Sequence, residues 1–285
     1  NLQLKTSTGE ANIPLHRIIA RLGAIPPRSL VESFGIEFPN SDQNAIPALT
    51  SQYESNIKGM YVIGALGGYP LIKQAMNQGY EVVEYILGHD VKPADHDLLA
   101  NKFNGLPYDL DVDGVLALMQ ERIPVFAGVN ALQFRELMLD SKVLAPAKGA
   151  AIFQKNDYTN TFFTILEGSV DIEINAQLRI SSGVGSFFGE MSLMSGRRRS
   201  ATVYAGDQCV VIETPRRSMI KLIASVEAVK RVLDETFIVR TIQQKFAPNT
   251  PIAELQPIAA RAKIHQYQPR EVIFQEGDEA DTLHF

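Results

Sequence analysis

Between Ile152 and Thr214 the chain leaves helical spacing for a run of short strands, and this change of period constrains its fold more than any other feature. Ile152-Phe153 and the segment 162–166 are compact apolar runs, and Glu167-Gly168 marks a turn. Beyond it Val170, Ile172 and Ile174 alternate with Asp171 and Glu173. Such alternation sorts apolar and polar side chains onto opposite faces of a strand. Helical spacing frames the stretch on both sides. Asn130 and Gln133 stand as a capping box ahead of Phe134, Leu137 and Met138. After Pro215 the helical period returns through Met219, Leu222, Ile223 and Val226, then Val229, Val232, Leu233 and Phe237. The reading is helix, many short antiparallel strands, helix.

Part of this pattern occurs twice. Ile152-Phe153-Gln154-Lys155-Asn156-Asp157 recurs as Ile273-Phe274-Gln275-Glu276-Gly277-Asp278, and Thr161 maps onto Thr282 at the same offset of 121 residues. A period that long implies a duplicated domain rather than a solenoid. Four zones follow: 1–88, a polar linker 89–114, a complete domain 115–246, and the start of its second copy, 247–285. The second copy breaks off inside its second or third strand, and the first residue is Asn1, so a piece of a longer protein is expected. In the first zone Tyr61-Val62-Ile63 reads as a short buried strand and residues 64–69 as a glycine-rich turn. Pro70 then opens a helix with apolar Leu71, Ile72, Ala75, Met76, Val82, Val83 and Ile86. That order offers backbone N–H groups to an anion or a polar cofactor edge. In the linker one short helix is expected, and Asp113 is expected to cap a helix from Val115.

Composition narrows the function classes. The chain has 285 residues, 45% hydrophobic and 21% charged, with net charge −5, which is ordinary globular composition of about two domains. The charge argues against a nucleic-acid partner. No segment reaches the ~20 apolar residues of a membrane helix. Cys209 is the single cysteine, in an apolar run. No internal disulfide can form, a reducing cytoplasmic setting is expected, and the thiol reads as a small buried hydrophobe.

The segment richest in chemistry is Phe187-Phe188-Gly189-Glu190-Met191-Ser192-Leu193, followed by Arg199-Ser200-Ala201-Thr202-Val203. A cyclic phosphate brings one negative charge into a compact pocket, where it needs a cation and several hydrogen bonds. Arg199 can supply a two-pronged contact, and Gly189 lets the backbone come close. A short helix from Glu190 points free N–H groups at the phosphate. Glu190 can accept a hydrogen bond from a ribose 2′-hydroxyl, and Ser200 can add a donor. With Arg199 nine residues after Glu190, this stretch resembles the phosphate-binding cassette of cyclic-nucleotide-binding domains. The resemblance spans residues 119–246, with the partial second copy from about Ile252. It implies a central antiparallel β-roll, jelly-roll-like, flanked by helices in an α+β multidomain chain. It also implies cAMP or cGMP as ligand, with Phe188, Gly189, Glu190, Met191, Ser192, Arg199, Ser200 and Ala201 as the binding residues. The family's early turn usually holds glycine. The second copy has Gly277 there and the first has Asn156, which also tolerates the left-handed conformation.

Residues 18–39 and 53–87 carry a second resemblance, to the C-terminal end of thioredoxin-reductase-like FAD- and NAD(P)-dependent oxidoreductases. Gly59-Met60-Tyr61-Val62-Ile63-Gly64, followed by Lys73-Gln74-Ala75, matches that family's last flavin-binding segment within one residue. It implies a truncated α/β FAD-domain tail, with Gly64, Ala65, Lys73, Gln74 and Ala75 near the cofactor of the intact parent, which would also use NADPH. Ala65 stands where the family usually has an aspartate. No Cys-x-x-Cys pair is present, so no catalytic residue is assigned and the chain alone is expected to be inactive as a reductase.

Other signals read as structural. Asp109, Asp111 and Asp113 imitate a calcium loop, but its last position is Gln120 rather than glutamate. His89-Asp90 and Asp95-His96-Asp97 read as polar linker, so no metal is expected. Arg197-Arg198-Arg199-Ser200 resembles an arginine-directed kinase site. Three functions compete. The first is a sensor that regulates the fused oxidoreductase, with the cyclic nucleotide and the rest of its own chain as partners and a homodimer left open. The second is the sensor of a transcription regulator, and the third a ligand-free structural roll.

Overall fold

A computed structural model describes all residues except 1, 7, 8, 15, 17–26, 42–44, 70, 71, 176, 177, 249, 263, 266, 268, 269, 278 and 280–285. Its centre is a pair of four-stranded antiparallel sheets. One has the order β3 (Lys142–Leu144), β10 (Val210–Thr214), β5 (Phe162–Glu167), β8 (Phe187–Phe188). The other runs β4 (Ala151–Phe153), β9 (Thr202–Ala205), β6 (Ser169–Asn175), β7 (Leu178–Gly183). This is the expected antiparallel roll with flanking helices.

The register explains why β5 reads as an unbroken apolar run. Phe163 and Ile165 point between the sheets, where they meet Phe153, Val170 and Phe188. Phe162 and Leu166 point the other way, into a helical layer. A strand covered on both faces has no polar side, and each such residue adds roughly 1.5–3 kcal/mol by leaving water. The tight turn at Gly168 (φ 67°) joins β5 to β6, and a Cβ there would lie 2.0 Å from the Asp207 carbonyl oxygen. Asn156 does adopt the left-handed conformation, with φ 76°.

The helical layer is α3 (His96–Phe103), α4 (Val112–Arg122), α5 (Ala131–Asp140), α7 (Arg216–Ser225) and α8 (Glu227–Lys245). The capping box of α5 forms in both directions between Asn130 and Gln133. Two local expectations need correction. The cap of α4 is Asp111, which accepts from Gly114 N at 2.7 Å, while Asp113 lies in the first turn and pairs with Arg135. The single helix of the linker is not peripheral, because Leu99 and Phe103 of α3 sit in the same core as Phe126 and Met219. The acid-rich linker thus has structural uses, and among the described residues no cluster could hold a metal.

The first zone contains the hairpin β1 (Leu2–Thr6) and β2 (Gly9–Ile13), α1 (Arg28–Ser33), a 3-10 turn Gly64–Gly67, and α2 (Ile72–Ile86). The expected strand at residues 61–63 reduces to one isolated bridge between Glu54 and Tyr61. Pro70 and Leu71 lie outside the described residues. The apolar spacing of α2 also misleads, since Met76 is 70% exposed along with Ile72, Val83 and Ile86. The helix does bury Val82, and beside it Gln78 and Glu81, because the turns next to it need acceptors. Gln78 Oε1 accepts from Gly64 N at 2.8 Å, and Glu81 accepts from Tyr53 Oη and Ala94 N. This zone rests on the helical layer. Tyr69 Oη donates to the Leu132 carbonyl, and Lys221 Nζ donates to the Gly68 carbonyl and to Glu136.

After α8, α9 (Ile252–Ala259) packs through Leu255 and Ala259 on Ile238 and Ile242. The described residues beyond it contain no strand, so Ile273-Phe274 does not form the expected second β4. In the first copy β4 is held by β9, far along the chain. Gly277 does adopt φ 99°. Asp278, Thr282 and Phe285 lie outside the described residues.

Candidate ligand-binding site

The site forms where β8 ends and α6 (Glu190–Ser195) begins. Gly189 makes the turn with φ 88°. A Cβ at that position would stand 2.6 Å from Arg199 Nη1 and 2.9 Å from the Thr161 carbonyl oxygen. Only glycine combines that backbone with so close an approach. Phe188 stacks on Phe163 with ring centroids 5.0 Å apart and fixes the strand end. Gly196, also left-handed, ends α6 and releases the chain into the loop that carries Arg199.

Arg199 is 3% exposed. Nε donates to Thr159 Oγ1 at 2.8 Å. Nη1 donates to Ser192 Oγ at 2.8 Å and to the Gly189 carbonyl at 3.3 Å. Nη2 donates to the Thr161 carbonyl and hydroxyl. Its guanidinium lies 4.0 Å from the Phe153 ring centroid, a favourable cation–π distance. Every acceptor is neutral. Burial pushes its pKa down to about 10, against the pull of Glu190 and more distant carboxylates, so it remains charged at neutral pH.

Glu190 is 1% exposed, and both its carboxylate oxygens lack a hydrogen-bond donor. Arg240 Nη1, reaching in from α8, stands 2.7 Å from Oε2. That is an ion-pair distance, but the approach lacks the angle of a hydrogen bond. Arg240 is itself steadied by the Phe187 carbonyl at 3.2 Å and the Phe187 ring. A buried carboxylate with unsatisfied oxygens is costly unless something supplies donors.

All eight residues of the expected pocket line one cavity of about 740 Å³, counted with its open mouth. Phe188, Gly189, Glu190 and Met191 form one wall with Ser192, while Arg199, Ser200 and Ala201 form the facing side. Ile172, Ile180 and Val203 of the sheet give it an apolar floor. Among the lining residues the charged groups are Glu190, Arg199 and Arg240, a net charge of one positive. Sequence reasoning missed Thr159 and Thr161, which orient Arg199. It also missed Arg240, Gln243 and Gln244 of α8 and Ile252 of α9, which overhang the cavity. No local motif marks these residues, because only the packing of α8 and α9 brings them there.

The second set of expected residues is arranged differently. Gly64 packs closely on Ala75, with 3.1 Å between a Cβ built on the glycine and that of Ala75. Three amides of the turn are taken within the chain: Gly64 N by Gln78, Gly68 N by Ala65 O and Tyr69 N by Gly64 O. Ala65 and Lys73 are exposed and Gln74 and Ala75 half-buried. With these three donors engaged and no side-chain acceptor at Ala65, the turn lacks the carboxylate that the family's last flavin-binding segment usually carries.

Residues 146–226 match the family model of the cyclic nucleotide-binding domain, and the chain carries such a domain. A cAMP-dependent protein kinase regulatory subunit of Eremothecium gossypii is 27% identical over 165 residues, which are 55% of this chain and 35% of that protein. A cyclic nucleotide-gated potassium channel of Rhizobium etli is 33% identical over 86 residues, 30% of this chain and 24% of that protein. The chain thus spans about a third or less of these two relatives. Among solved structures, the sensor domain of the transcriptional regulator DNR from Pseudomonas aeruginosa is similar at 18% identity and TM-score 0.40. That match covers 50% of this chain and 98% of the sensor domain. No described helix is long and apolar enough to cross a membrane.

Proposed function

We propose that the pocket between Glu190 and Arg199 binds a purine cyclic nucleotide, and that the domain regulates whatever its neighbouring segments do. The observation that carries this reading is the pairing, in one cavity, of a buried cation without a carboxylate partner and a buried carboxylate without a hydrogen-bond donor among the described residues. A cyclic phosphate and a ribose 2′-hydroxyl, a few atoms apart in one molecule, answer both needs. The phosphate takes the Arg199 charge, helped by the Ser192 and threonine hydroxyls, which can turn from accepting to donating. The 2′-hydroxyl donates to Glu190. The net positive charge of the lining matches a monoanion. The apolar floor suits a planar base, and Gln243 and Gln244 supply amides over it. The name of the Eremothecium gossypii relative makes cAMP the first ligand to test and cGMP the second.

Binding can act on the rest of the chain only through differential contacts in two states. Arg240 supplies such a contact, since a 2′-hydroxyl on Glu190 alters the surroundings of the ion pair that ties α8 to the pocket. The first zone is the element within reach, held to α5 and α7 through Tyr69 and Lys221. Its resemblance to a thioredoxin-reductase-like tail makes an oxidoreductase the proposed target.

Calorimetry of the chain with cAMP and with cGMP tests the binding. Saturable heat is expected with at least one of them, and absence of heat at millimolar nucleotide overturns the reading in favour of a structural roll.

A further inference from the structure

Two arginine-preceded serines occur in this domain, Arg197-Arg198-Arg199-Ser200 and Arg216-Arg217-Ser218. The fold treats them oppositely. Ser218 lies in the first turn of α7, is buried, and donates to Asp140 Oδ2 at 2.7 Å. Ser200 is exposed, in the irregular loop between α6 and β9. Exposure alternates from Arg198 to Ala201. Arg198 and Ser200 face solvent while Arg199 between them points into the pocket, and Arg197 is exposed as well. Extended segments alternate their side chains in this way. An arginine-directed protein kinase reads basic side chains two and three residues before the acceptor with acidic groups of its own groove. Arg197 and Arg198 are available for that. Among the described residues Arg198 touches the Asn156 carbonyl at 3.0 Å and the exposed Tyr158 ring.

We propose that Ser200 is a phosphorylation site for an arginine-directed serine kinase, and that the phosphoryl group closes the pocket to cyclic nucleotide. The second half rests on the nucleotide-binding reading given above. In the transfer, Ser200 Oγ attacks the γ-phosphorus of ATP. The Oγ–P bond forms as the bond to the β-phosphate oxygen breaks, ADP leaves, and the hydroxyl proton passes to the kinase's base. The product carries about two negative charges at neutral pH. Ser200 lines the same cavity as Arg199. A tethered phosphate there competes for the guanidinium and repels the phosphate of an incoming nucleotide. Nucleotide bound in that cavity would in turn cover Ser200 and hinder the approach of the kinase.

The test uses the full chain, magnesium-ATP and an arginine-directed serine kinase, with peptide mass mapping and cAMP calorimetry on both forms. One phosphoryl group is expected at Ser200 and none at Ser218. The phosphorylated chain should bind cAMP at least tenfold more weakly, and saturating cAMP should slow the modification. The double variant Arg197→Ala, Arg198→Ala, whose residues do not line the cavity, should be modified at least tenfold more slowly and bind cAMP as the parent does. Modification at Ser218, none at Ser200, or unaltered cAMP affinity after modification of Ser200 overturns the proposal. If the unmodified chain binds neither cyclic nucleotide, the binding reading fails, and with it the closing of the pocket. The mass map still decides whether Ser200 is the acceptor.

Discussion

Two buried arginines in this domain have opposite surroundings. Arg135 on α5 is 6% exposed and held by Asp95 at 2.6 Å and Asp113 at 2.7 Å. Burial pulls its pKa down, but the bond to Asp95 and the two acidic charges outweigh it, and the net shift is upward. Arg199 is equally buried, has only neutral acceptors, and its pKa moves downward. A cation already neutralised within the chain joins elements together, here α5 to the segments carrying Asp95 and Asp113. A cation left with its charge has attraction to spare for an anion from solution. Burial alone therefore does not mark a ligand site; burial without a counter-charge does.

Four substitutions or measurements can break or sharpen that contrast. The largest effect is expected from Arg135→Met, which leaves Asp95 facing a protein interior without its cation. Losing one partner of a buried pair costs about 3–5 kcal/mol; Asp113 is mostly exposed, so about 2–3 kcal/mol is expected in urea unfolding. The cAMP affinity of the molecules that remain folded should not change. Arg199→Ala should do the reverse, weakening cAMP binding tenfold to a hundredfold, as loss of a charge-assisted contact worth about 1.5–3 kcal/mol implies. Stability should fall less than in Arg135→Met, and undiminished affinity would end the contrast. Gly189→Ala should lose about 1–2 kcal/mol of stability from the left-handed backbone alone and displace Arg199, so affinity falls with it. The smallest effect is expected from Arg240→Met, a two- to tenfold change in affinity read by calorimetry, because its partner Glu190 still receives the 2′-hydroxyl. Separately, the purified chain should show no flavin absorbance, and a yellow preparation would show that the missing carboxylate at Ala65 does not prevent flavin binding.

Much of the site was legible because it is local. The distance from Glu190 to Arg199 is set by one turn, one short helix and one loop, so their spacing carries the pocket in linear form. The Asn130 capping box, the left-handed Asn156 and the Gly168 turn are equally local and all form. The misreadings have one cause. Apolar spacing in α2 specifies a helix with two faces but not which face is covered. Gln78 and Glu81 face inward because neighbouring turns supply the donors they accept. In the same way, the polar character of residues 89–114 says nothing of Leu99 and Phe103, two residues that place α3 in the core.

The sequence by itself determined the strand-rich centre between helices and the buried state of Cys209, which follow from period and composition over short windows, and the local spacing that brings the eight cassette residues to one cavity. Only the tertiary structure decided that Arg240 reaches Glu190 from α8, that α9 brings Ile252 over the same cavity, and that Ser200 is exposed while Ser218 is buried. Each of these depends on which distant segment packs against which, and so on contacts that no local pattern encodes.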